Sequence, residues 1–107
     1  MMDIERIKYE RTGGFAGIRI AADIKPKDLP EEQAQTLSDL LDDLDFPGLP
    51  EQLTNDSSMP DQFIYTITVE AEEWKHTVVT GDESAPEKMQ ELLQILNRIA
   101  RKRMRKQ

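Results

Sequence analysis

A chain of 107 residues with no cysteine and a net charge of −7 can bury a core as one domain, and it lacks both disulfides and thiolate metal sites. Six of its 14 Lys and Arg lie in residues 98–107, which hold no acid; residues 1–97 carry the other eight against all 21 acids, a net of −13. An acidic body repels phosphates and argues against nucleic acid as a partner. No run approaches the roughly 18 apolar residues of a membrane span, and Met1-Met2-Asp3-Ile4-Glu5-Arg6 places charges where a signal peptide needs an apolar run. A soluble, cytoplasmic, monomeric protein is expected.

Alternation predicts a strand over residues 4–11, with Ile7 and Tyr9 on one face. Its partner spans 18–24, with Ile18, Ile20, Ala22 and Ile24 on the matching face. Between them, Gly13, Gly14 and Gly17 surround Phe15 in Thr12-Gly13-Gly14-Phe15-Ala16-Gly17. Glycine takes positive φ freely, so this loop either displays Phe15 on a narrow tip or folds it back onto the core. A tight Gly13-Gly14 turn would set Lys8 against Arg19. A two-residue slip pairs Glu10 with Arg19 and Arg6 with Asp23, which favours a loop of about six residues.

Asp28-Leu29-Pro30-Glu31 reads as a capping box opening a first helix. Ala34, Leu37, Leu40, Leu41 and Leu44 form its apolar stripe, and Phe46-Pro47-Gly48-Leu49-Pro50 stops it, with Phe46 and Leu49 buried beneath. Leu53 is a candidate for one more helical turn. Residues 54–61 form a polar loop. Strands follow at Gln62–Glu70, with Phe63, Tyr65, Ile67 and Val69 on one face, and at Trp74–Thr80, with Trp74, His76 and Val78 aligned. A second capping box at Ser84-Ala85-Pro86-Glu87 opens a helix of about 18–20 residues, with Met89, Leu92, Leu93, Leu96, Ile99 and Ala100 as its apolar stripe. The expected fold is α+β in the order ββαββα: one domain over 1–107, with a four-stranded, mainly antiparallel sheet and helices on one face.

Catalytic and cofactor signatures are missing. His76 is the single histidine, which excludes histidine-pair zinc motifs. None of the four serines sits in a Gly-x-Ser-x-Gly elbow. Gly13-Gly14-Phe15-Ala16-Gly17 lacks the lysine of a phosphate loop and the spacing of a dinucleotide fingerprint. Asp56 and Asp61 lack EF-hand spacing. A binding protein is expected: not an enzyme, with no cofactor and no metal.

Glu10-Arg11-Thr12-Gly13-Gly14-Phe15-Ala16-Gly17-Ile18 resembles the first-hairpin motif of the emfourin family, protein inhibitors of thermolysin-like (M4) metallopeptidases such as protealysin. Asp45-Phe46 with Leu49-Pro50, Pro60-Asp61-Gln62-Phe63-x-Tyr65-x-Ile67-x-Val69, His76-Thr77-Val78, and Leu92-Leu93 with Leu96 ahead of a basic tail are similar too. The resemblance implies a small cytoplasmic inhibitor whose partner is an M4-type protease with a zinc-bearing cleft beside an apolar pocket. It suggests Phe15 as the residue that fills the pocket, carried by Gly13, Gly14, Ala16 and Gly17. Asp82 and Glu83, or Asp61, are the carboxylates placed to approach the target's zinc, and Leu29 is a further apolar contact. The rival reading is a regulatory module engaging RNA or an acidic protein through Arg98–Lys106. The same basic residues also complement the dipole of a helix C-terminus.

Overall fold

The computed structural model describes residues 4–13, 19–52, 63–81 and 86–105. Its elements run β1 (Ile4–Gly13), β2 (Ile20–Ile24), α1 (Glu31–Leu44), β3 (Phe63–Ala71), β4 (Lys75–Gly81) and α2 (Glu87–Arg105), with short 3-10 turns at Pro26–Asp28 and Phe46–Gly48. The expected ββαββα order holds. The strands form one antiparallel sheet in the order β2-β1-β3-β4, so the two hairpins meet at its centre through β1 and β3.

Alternation decides which face is covered. Ile7, Tyr9, Ile20, Ile24, Ile67, Val69 and Val78 are buried and share one core with Leu37, Leu40 and Leu41 of α1 and with α2. All six residues of the expected α2 stripe are buried. Burying one such Leu or Met stabilises by about 1.5–3 kcal/mol, which is what holds a 19-residue helix against the sheet. The opposite face is polar: Thr68 and Thr77 hydroxyls lie 2.9 Å apart across β3 and β4, and Lys8 and Arg6 approach Glu70 at 3.9 and 4.0 Å.

The first hairpin has a different register from the expected one. Ile7 pairs with Ile24, Tyr9 with Ala22 and Arg11 with Ile20, two residues further along than the charge argument suggests. An even slip leaves every apolar side chain on its face. The expected ion pairs form nonetheless, as diagonals. Arg19 meets Glu10 at 2.6 Å although Glu10 lies opposite Ala21, and Arg6 meets Asp23 at 3.1 Å although Asp23 lies opposite Lys8. Long charged side chains reach diagonal neighbours as well as direct ones, so charge matching fits both registers.

The first capping box does not form. Asp28 belongs to the preceding 3-10 turn, its N–H bonded to the Lys25 carbonyl at 2.9 Å. The helix instead starts at Glu31 with Pro30 at the cap and no side-chain cap bond. Pro26 and Pro30 are the reason: each fixes φ for a turn or helix start, which places Asp28 too early to cap α1. At the other end Asp45 takes the left-handed conformation (φ 50°), its N–H bonded to the carbonyls of Leu41 and Asp42. That reversal sends Phe46 inward, fully buried, with its ring 5.7 Å from His76 in an edge contact and 6.5 Å from Trp74. His76 Nε2 donates to the Leu49 carbonyl at 2.7 Å, and Leu49 is half-buried. Gln52 then bridges Val79 in parallel. The further helical turn expected at Leu53 and the cap expected at Ser84 fall outside the described residues.

The β3–β4 hairpin turns through Glu72 and Glu73, closed by the Ala71 N–H to the Trp74 carbonyl at 2.8 Å. Neither residue has positive φ, so the turn needs no glycine or asparagine. A tie invisible in the sequence joins sheet to helix: the Tyr9 hydroxyl donates to Asn97 Oδ1 at 3.1 Å. Tyr9→Phe is expected to cost about 1 kcal/mol, lowering the thermal midpoint by roughly 4 °C. Thermal unfolding followed by circular dichroism checks this, and an unchanged midpoint would show that the tie is silent.

Candidate functional site

The expected site begins where β1 ends. Gly13 closes the strand with φ 101°, a conformation that residues with a Cβ adopt only under strain. The side chain before it on the covered face is Arg11, opposite Ile20 on one side and Tyr65 on the other. The Arg11 guanidinium carbon stands 4.4 Å from the centroid of the Phe63 ring, and the Tyr65 ring lies 6.3 Å from that of Tyr9. This aromatic row with a cation over it is the footing from which the glycine-rich segment departs. Such a contact contributes about 0.5–1 kcal/mol at exposed sites and more when desolvated. The glycine motif marks the loop in the sequence but not this footing. The spacing of Tyr9, Arg11 and Gly13 along one strand face was the available signal, though strand pairing alone reveals that Phe63 completes it.

Register also fixes what else stands at this end. Gly13 pairs with Phe63, and Ile64 with Gly81. The chain therefore leaves β1 at Gly13 and β4 at Gly81 from the same end of the sheet. The two exits lie on either side of the start of β3, two strand spacings or about 10 Å apart. Gly14, Phe15, Ala16 and Gly17 follow Gly13, and Asp82 and Glu83 follow Gly81; these six candidates, like Asp61, fall outside the described residues.

Leu29 is placed elsewhere. It follows the far end of β2, whose last residue Ile24 pairs with Ile7, about 20 Å down β1 from Gly13. There it is half-buried, packed on the core, and it lines a cleft with Arg98, Ile99, Lys102 and Arg103 of α2. The structure does not bring Leu29 together with the glycine-rich end.

Among the described residues no three His, Cys, Asp or Glu side chains are grouped to hold a metal ion. No described helix is long and apolar enough to cross a membrane. His76 is taken up by its bond to the Leu49 carbonyl and its contact with Phe46.

The Emfourin family model matches residues 9–97, a span running from Tyr9 in β1 to Asn97 in α2. The chain belongs to the Emfourin family. Emfourin membership carries a protease-inhibitor role in general, with a protease as partner, and is consistent with a protein that is not an enzyme. The matched span includes Gly13, Arg11, Phe63 and Gly81, and with them the sheet end at which the candidate segments depart. Neither a curated protein nor a solved structure matches the chain.

Proposed function

We propose that this chain inhibits a thermolysin-like (M4) zinc metallopeptidase by occupying its active-site cleft with the glycine-rich segment that carries Phe15. In this reading Phe15 fills the apolar pocket beside the catalytic zinc, Gly13, Gly14, Ala16 and Gly17 let the backbone approach the cleft closely, and Asp82 or Glu83 approaches the target's zinc. We further propose a cytoplasmic monomer. The observation that supports the mechanism most is the shared exit of the chain at Gly13 and Gly81, flanking Phe63 and Ile64. Segments leaving about 10 Å apart suit an apolar anchor and a carboxylate addressed to neighbouring parts of one cleft. Ordering the anchor on a folded sheet reduces the entropy lost on binding.

Titrating a thermolysin-like protease with the full chain tests the reading. Residual peptidase activity is expected to fall to zero near one equivalent of inhibitor, while trypsin, a serine protease, retains full activity. A thermolysin-like protease that stays fully active at a tenfold excess of inhibitor would overturn the assignment for that target. Equal inhibition of trypsin would overturn the proposed zinc-cleft mechanism.

A further inference from the structure

At the end of the molecule opposite Gly13, the start of α1 and the later turns of α2 enclose a cleft of about 400 Å³ lined by Asp28, Leu29, Pro30, Gln33, Arg98, Ile99, Lys102 and Arg103. Its floor is apolar: Ile99 is almost fully buried and Leu29 half-buried. Its rim carries three cations and one acid. Arg103 is held in place by Nη1 donating to the Asp23 carbonyl at 2.6 Å. Arg98 and Lys102 are exposed. The ion pairs of the described residues use Arg6, Lys8, Arg19 and Lys88, not these two. Among the described residues, Arg98 and Lys102 thus stand without an ion-pair partner beside an apolar floor. The helix dipole does not account for Arg98, because its effect is confined to the last turn and Arg98 lies about two turns before Arg105.

We propose that this cleft docks an acidic protein segment, one that sets an apolar side chain on Leu29, Pro30 and Ile99 and carboxylates against Arg98, Lys102 and Arg103. Charge complementarity selects the occupant. The apolar floor favours a peptide over RNA: none of the lining residues is an aromatic on which a base stacks, and a long run of phosphates would meet the acidic body beyond the rim. The cleft lies near the Asp23–Ile24 end of β2, the end of the β1–β2 pair away from Gly13, apart from the segment assigned to inhibition.

The probe is a fluorescein-labelled 12-residue peptide of repeating Glu-Glu-Leu, titrated with the full chain and followed by anisotropy. A poly-Glu peptide and a 12-nucleotide oligo-U RNA of equal label serve for comparison. The Glu-Glu-Leu peptide is expected to bind best, and more weakly as salt rises. Arg98→Glu with Lys102→Glu is expected to weaken it at least about tenfold. Leu29→Ser is expected to weaken this peptide but not poly-Glu. Lys102→Glu alone, at an exposed position, guards against misfolding of the other variants. Protease inhibition by the double variant is expected to match that of the parent chain. No binding of the Glu-Glu-Leu peptide, binding indifferent to the charge reversals, tighter binding of the RNA, or loss of protease inhibition in the folded double variant would each overturn the proposal.

Discussion

Replacing Phe15 with alanine is expected to raise the inhibition constant against a thermolysin-like protease at least about tenfold, because an aromatic anchor in a desolvated pocket carries about 2 kcal/mol or more of binding. The fold is expected to survive. Phe15 lies beyond Gly13, where β1 ends, and the core of the described residues is built from the sheet and both helices. The two readouts separate the two places Phe15 could occupy. An anchor loses inhibition and keeps its unfolding midpoint; a ring folded into the core loses stability first. Phe15→Leu sharpens the comparison, since it keeps an apolar side chain and should retain part of the affinity. Unchanged inhibition by a folded Phe15→Ala protein rejects the anchor.

The largest effect on stability is expected from Phe46→Ala. The ring is fully buried, touches Trp74 and His76, and is aimed inward by the left-handed turn at Asp45. Truncating such a phenylalanine costs about 3–5 kcal/mol, a large share of the roughly 5–15 kcal/mol that a domain of this size possesses. Urea unfolding measures it as a fall in midpoint at constant slope. A loss below about 1 kcal/mol would mean that the site collapses around the missing ring. Inhibition by the fraction that remains folded is expected to be unaltered, because the ring packs on Trp74 and His76, at the end of β4 away from Gly81.

Patterns that depend on a single element were legible in the sequence. Met89, Leu92, Leu93, Leu96, Ile99 and Ala100 announce the buried stripe of α2 because burial repeats with the helical period. Ile67 and Val69 announce the inner face of β3 for the same reason at period two. What needed two elements was harder. The β1–β2 register was two residues off because Arg6, Glu10, Arg19 and Asp23 satisfy one another directly or diagonally. Asp28 looked like a cap, yet its own 3-10 turn takes it. The left-handed Asp45 was hidden behind the stronger stop signals of Pro47 and Gly48. For the site, the sequence pointed to Gly13 as a special backbone position, and its φ is positive. It could not reveal that Gly81 leaves from the same end or that Arg11 stands over Phe63, since both depend on β3 lying beside β1. Leu29 was grouped with the loop on the resemblance alone, although β2 carries the chain to the far end of the sheet before Leu29 is reached.

The central pairing of β1 with β3 joins residues some sixty positions apart, and α2, from the second half of the chain, covers strands of the first through Tyr9 and Asp23. Neither ββα half can therefore shelter its own greasy surface. The core closes only when α2 docks, so a nascent chain whose last helix is still inside the ribosome presents an apolar sheet face of the kind that aggregates.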